Sequence, residues 1–204
     1  MALETDAELM LRVKAGDEAS FDLLLEKYRN PVVKFIQRMV QNSAVAEELA
    51  QDVFLRVYRA REGYEPSARF TTWLFRIATH IALNSLRDGR KERNVDSLDT
   101  GRAGASPDDA PLEIGDKRTT IEQYLVESSE VREIRGAVMA LPGKQRAAVL
   151  MHKYHELDYK QIAEALDCSE SAVKSLLFRA YETLRQKLIH YAAPSAAEEV
   201  RGGS

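Results

Sequence analysis

Cysteine is almost missing from this chain: Cys168 is the only one among 204 residues. A single thiol excludes an intramolecular disulfide and any cysteine-based zinc site built within one chain. Long hydrophobic runs are missing too. None approaches the roughly 20 residues that a membrane span requires, so no membrane insertion is expected. Residues 1–18, MALETDAELMLRVKAGDE, have no basic stretch followed by an apolar core and do not read as a signal peptide. The expected compartment is a reducing cytoplasm. Sustained β-alternation is absent, which predicts an all-α fold. Aromatics are scarce at 7%, with one tryptophan, so the place of each ring is informative. The formal charge of −3 lacks the large positive excess of a protein that coats nucleic acid indiscriminately.

Catalytic patterns are also wanting. There is no phosphate-cradling glycine loop and no nucleophile elbow. His152, His155 and Glu156 lie close in sequence but not in the order H-E-x-x-H, and no third ligand is evident nearby. His80 and His190 are isolated. The expectation is no metal, no cofactor and no enzyme.

What is present is helical periodicity in two blocks. In the first, Asp6 is a candidate cap for a helix with Leu9, Met10 and Val13 on one side and Gly16 as its stop. A second helix is expected from about Glu18, and Pro31 must start a new helix or kink the old one. Ser43 is the candidate cap of the next, whose apolar side is Ala46, Leu49, Ala50, Val53, Phe54 and Val57. Its other side shows Glu47, Glu48, Gln51, Asp52 and Arg56, which alone reads as a solvated face. EGYEPSA, residues 62–68, is a loop by its Gly, Pro and Ser. A long helix follows, with Phe70, Trp73, Leu74, Ile77, Ala78 and Ile81 apolar and Gly89 as its candidate end. From Arg69 to Arg93 six basic residues face two acidic ones, with rings interleaved. Rings to stack on bases and cations to meet phosphates suit a single-stranded nucleic acid. The plainer reading makes Phe70 and Trp73 core residues, and for Trp73 both readings stand.

Periodicity fails from Asp96 to Asp116, where Gly, Pro, Ser and Ala are frequent and six acids stand against one base. Such a stretch reads as a flexible linker. The predicted layout is a helical domain over residues 1–94, a linker over 95–118, a second helical domain over 119–191 and a disordered tail over 192–204.

The second block is the more specific. Asp158 with Gln161 forms a capping-box pattern before a short helix bearing Ile162, Ala163 and Leu166. Asp167-Cys168 makes a turn, and Ser169 caps a longer helix with Ala172, Val173, Leu176, Leu177, Ala180 and Leu184 at a period near 3.6. Two helices on so tight a turn form a helix-turn-helix, whose second helix can lie in a DNA major groove. Its polar face carries Lys174, Ser175, Arg179 and Arg185, with Phe178 among them where a solvated helix rarely places a ring. Cations suit phosphates and guanine edges, and a ring can pack on a thymine methyl. The bland alternative is an αα-hairpin with a basic solvated face.

Four blocks in this order resemble the bacterial sigma-70 family, in its small two-domain extracytoplasmic-function (ECF) form. They are AEELAQDVFLRVY (Ala46 to Tyr58), RFTTWLFRIATHIALNSLR (Arg69 to Arg87), LPGKQRAAVL (Leu141 to Leu150) and YKQIAEALDCSESAVKSLLFRAYETLR (Tyr159 to Arg185). The resemblance implies a promoter-specificity subunit for stress or envelope-response genes, with core RNA polymerase, promoter DNA and an anti-sigma factor as partners. It places Glu47, Glu48, Gln51, Asp52 and Arg56 on the clamp helices of the polymerase β′ subunit, and the second domain by the β flap. It gives Phe70, Trp73, Arg76, His80, Asn84 and Arg87 to the opened −10 element, and Lys174, Ser175, Phe178, Arg179 and Arg185 to the −35 element.

Two departures from the family pattern stand out. Asp167 occupies a turn position where glycine is common. Leu176 and Tyr181 stand where basic residues are common, which implies fewer phosphate contacts and a weaker or altered −35 preference. The alternative functions are a stand-alone helix-turn-helix regulator, which would dimerise on a palindrome without polymerase, and an interaction protein whose basic faces meet an acidic partner.

Overall fold

The computed structural model describes residues 5–99 and 129–189, with side chains for 5–89 and 131–189. Among the described residues every regular element is a helix. Most of the predicted linker and the tail, as well as Ile121, Leu125, Val126 and His190, lie outside them.

The first domain holds α1 (Asp6–Lys14), α2 (Glu18–Val40), α3 (Ser43–Arg59), a 3-10 turn (Arg61–Gly63) and α4 (Phe70–Asp99). Two caps fall one residue before the expected position. Thr5, not Asp6, caps α1, and Asn42, not Ser43, caps α3 by accepting the Val45 N–H at 3.1 Å. In both places two good capping residues are adjacent, and the one with extended backbone takes the role. Asp6 is used otherwise: its carboxylate accepts from the Tyr28 hydroxyl at 2.6 Å and pairs with Lys27. α2 continues through Pro31, giving up the hydrogen bond that an N–H there would have made to the Lys27 carbonyl. α4 likewise passes through Gly89 to Asp99. One glycine costs a helix only about 1 kcal/mol, too little to end one of this length.

The second domain holds α5 (Ser129–Met139), α6 (Gly143–Tyr154), α7 (Tyr159–Leu166) and α8 (Glu170–Lys187). Here the expected caps hold. Asp158 and Gln161 exchange backbone bonds at 2.8 and 2.9 Å, and Ser169 accepts the Ala172 N–H at 3.2 Å. Ala147, Ala148, Leu150 and Met151 of α6 are buried, and α6 packs on α7 and α8 as expected, although Met151 Sδ faces Thr79 of α4 at 4.0 Å.

The two domains share one continuous core. α4 lies along α7, while α6 packs on α2 and α4. Gly143 sits at the seam: a Cβ there would stand 2.8 Å from Leu83 Cδ2, so any larger residue would push that side chain aside where the start of α6 approaches α4. Further along, the His155 ring lies 4.0 Å from the Phe75 ring and 5.7 Å from that of Phe35. Arg38 stacks over Tyr154 with its guanidinium carbon 4.1 Å from the ring centre. Arg146, almost wholly buried, donates to the carbonyls of Met39 at the end of α2 and of Met139 and Leu141 at the end of α5.

Candidate nucleic-acid interface

Three sets of predicted site residues fall on three different faces. On α8, buried Val173, Leu177 and Ala180 turn one side inward. That forces Lys174, Ser175, Phe178 and Arg179 outward, where all four are exposed and line one shallow depression. Phe178 is 71% exposed. Leaving such a ring in water forgoes the gain of burying it, a gain that a partner surface would recover. The Ser175 hydroxyl donates to the Ser171 carbonyl at 3.0 Å, leaving its oxygen as an outward acceptor. Arg185 lies two turns on, 3.8 Å from Glu182. Leu176 is half-buried against the core, and Tyr181 is exposed. Neither supplies a cation.

On α4, Trp73, Arg76, His80, Asn84 and Arg87 follow one another at spacings of three or four, which puts them on one stripe of the helix. Arg76, Asn84 and Arg87 are exposed, while Trp73 and His80 are half-buried. Phe70 departs from its expected role. At 3% exposure it is a core residue, with ring centres 5.4 Å from Tyr28 and 6.3 Å from Tyr64. Its apolar periodicity wins over strand contact, because α4 begins where the loop turns inward. Trp73 is partly core and partly open: its ring centre lies 5.0 Å from that of Tyr64, and the residue also lines a cleft of about 930 Å³. Tyr64, not singled out from the sequence, anchors the loop through this cluster, and burial raises its hydroxyl pKa above the ordinary value. Its signal was a lone ring within a Gly-Pro-Ser loop, where exposure would be the ordinary expectation.

The cleft separates the loop around Glu65 from α7 and the start of α8. Across it, Arg76 Nη2 meets Asp167 Oδ1 at 2.6 Å and His80 Nε2 meets Asp167 Oδ2 at 3.1 Å. Asp167 is the C-cap of α7 in the left-handed region, at φ 49° and ψ 56°. Asp tolerates this conformation better than most residues, at a cost glycine would not bear.

On α3, buried Ala46, Ala50, Val53, Phe54 and Val57 face the core, and Glu47, Glu48, Gln51, Asp52 and Arg56 are all exposed. Leu55 projects among them at 51% exposure. An apolar residue off the 3.6 period of its helix is a sign of a contact face that is readable without the structure.

Among the described residues no histidines converge with other ligating side chains into a group that could hold a metal. The His155 ring is held between Phe35 and Phe75, while His152 Nδ1 is 3.4 Å from the Leu157 carbonyl. Among the described residues no helix is long and apolar enough to cross a membrane.

Two family models match, sigma-70 region 2 over residues 24–92 and sigma-70 region 4 over residues 132–184. The ECF RNA polymerase sigma-E factor of Haemophilus influenzae is 32% identical over 185 residues, covering 90% of this chain and 95% of that protein. The RNA polymerase sigma-H factor of Pseudomonas aeruginosa is 30% identical over 186 residues, covering 91% and 94%. Among solved structures, CnrH in complex with the cytosolic domain of CnrY superposes with a TM-score of 0.64 at 18% identity, over 93% of this chain and all of that one. With an all-α fold, a region 2 and a region 4 domain in order, and full-length relatives of this kind, the chain belongs to the ECF RNA polymerase sigma factors of the sigma-70 family.

Proposed function

We propose that each face described above serves one step of transcription initiation. The exposed side of α3, with Glu47, Glu48, Gln51, Asp52 and Arg56, docks on the clamp helices of the core polymerase β′ subunit, and the second domain sits by the β flap. The α4 stripe of Trp73, Arg76, His80, Asn84 and Arg87 receives the separated strand of the −10 element. Lys174, Ser175, Phe178, Arg179 and Arg185 of α8 read the −35 duplex. In this division residues 1–94 and 119–191 are the two working domains and residues 95–118 the tether, whose first residues, to Asp99, continue α4 as helix. The protein itself makes no bond; it works in the cytoplasm, and an anti-sigma factor restrains it.

The observation that carries this reading is the exposed Phe178 set among Lys174, Ser175 and Arg179 on the second helix of the helix-turn-helix. A ring flanked by cations matches a thymine methyl flanked by phosphates. Weak modules of this kind gain selectivity when one machine holds both at fixed spacing.

Run-off transcription with purified core polymerase tests it. Specific initiation is expected only when this chain is added. Phe178→Ala should lower the yield from −35-dependent templates roughly fivefold, the equivalent of about 1 kcal/mol of lost base contact. The same change should leave thermal stability unaltered, since the ring touches little of its own protein. Operator binding without polymerase would instead favour the stand-alone regulator.

A further inference from the structure

We propose that Asp167, at the turn of the helix-turn-helix, is a built-in inhibitor that stands in for a DNA phosphate on the −10 stripe and keeps the free protein from engaging a single strand. The proposal rests on the reading of that stripe as a strand-binding face. What suggests the further step is the position of the carboxylate. Its two oxygens engage Arg76 and His80 at 2.6 and 3.1 Å, as a phosphate's oxygens would.

Three other observations agree. The cleft onto which Trp73 and Arg76 open is also lined by Glu65, Glu164 and Glu170 against the single further cation Lys160, so the carboxylates around it outnumber the cations and disfavour the polyanion that the stripe would attract. Asp167 sits at φ 49°, where glycine would be more comfortable, so the turn geometry does not itself call for a carboxylate there. Finally, the groups in contact, Arg76, His80 and Asp167, are nearly half exposed. Pairs of that kind are weak and screened by salt, which suits a contact that must yield when polymerase or DNA offers a better one.

The seam between the domains holds the closed form, and Asp167 biases its opening. Any probe that needs the open form therefore reports the same equilibrium, and its apparent affinity or rate scales with the open fraction. The chain carries its own reporter. Cys168, the only thiol, follows Asp167 directly, is half-buried and lines the cleft.

The test uses the full chain, N-ethylmaleimide as a neutral thiol reagent, and a fluorescein-labelled single-stranded 12-mer of random sequence. Asp167→Asn keeps a side chain that tolerates the left-handed turn and removes the charge. It should raise both the Cys168 modification rate and the strand affinity by the same factor, on the order of three- to fivefold. Arg76→Ala should raise the modification rate similarly but lower strand affinity in the Asp167→Asn background. Raising salt should accelerate modification of the wild type more than of Asp167→Asn. If neither substitution changes the thiol rate, Asp167 is no latch and the proposal falls. If the thiol rate rises while strand affinity is indifferent to both substitutions, the contact opens but masks no strand site. That outcome overturns the inhibitory role and, separately, the assignment of Arg76 to DNA.

Discussion

Replacing Arg146 by alanine is expected to lower the unfolding free energy by about 3–5 kcal/mol, the cost of leaving several buried carbonyls without their charged donor. Helices end with unsatisfied carbonyls that carry the negative end of the macrodipole. At this place two helices end close together, α2 at Val40 and α5 at Met139, and one guanidinium serves both. The third acceptor, the Leu141 carbonyl at 3.1 Å, fixes the start of the turn into α6. The planar fork of Arg reaches three acceptors at once; a lysine is a point charge and cannot, so Arg146→Lys should recover less than half of the loss. Urea denaturation followed by circular dichroism measures the effect. Because Met39 belongs to the first domain and Met139 to the second, the variant should also separate the two domains' transitions, giving a biphasic curve. A single, unshifted transition would show that the guanidinium contributes little.

Acidification from pH 7 to pH 4 is expected to weaken the packing of the two domains through His155. Burial between Phe35 and Phe75, aided by the Arg38 guanidinium, pushes its pKa down from 6.5 to about 4. Its Nε2 is buried without a hydrogen-bond partner, which is consistent with a neutral ring. The pKa in the packed state is below that of the free side chain, so unpacking takes up a proton between these values. The contribution is therefore complete above pH 6.5 and is lost as pH falls through 6.5 towards 4. A depression of this size corresponds to at most about 3 kcal/mol, and solvent access to part of the ring reduces the expectation to about 1–2 kcal/mol. Carboxylates also protonate in acid. The informative quantity is thus the difference between the wild type and His155→Phe, which keeps the ring and cannot titrate. Stability of the variant should be flatter between pH 4 and 6.5; parallel curves would remove His155 from the explanation.

Much of the helical framework could be read before the structure, because its causes lie within four residues. Asp158 with Gln161 and Ser169 with Ala172 act through side chains that reach only the next turn, and these caps stand as expected. The errors have equally local causes. Thr5 beside Asp6 and Asn42 beside Ser43 offer two good caps each, and the choice depends on which backbone is extended. Gly89 and Pro31 weaken a helix by amounts that the packing of α4 and α2 overrides. Phe70 satisfied two patterns at once, and burial decided between them.

The sequence by itself determined the helices, the stripe from Trp73 to Arg87, the exposed cluster around Phe178 and the family. Each is a matter of spacing along one helix or of motif order. Only the tertiary structure decided what lies opposite each stripe. Arg76 and Asp167 are 91 positions apart in sequence, and Arg146 and Met39 are 107 apart. No periodicity relates such residues. Their meeting depends on whether two apolar faces fit closely enough, as Gly143 allows against Leu83, to bring the charges beside them into range.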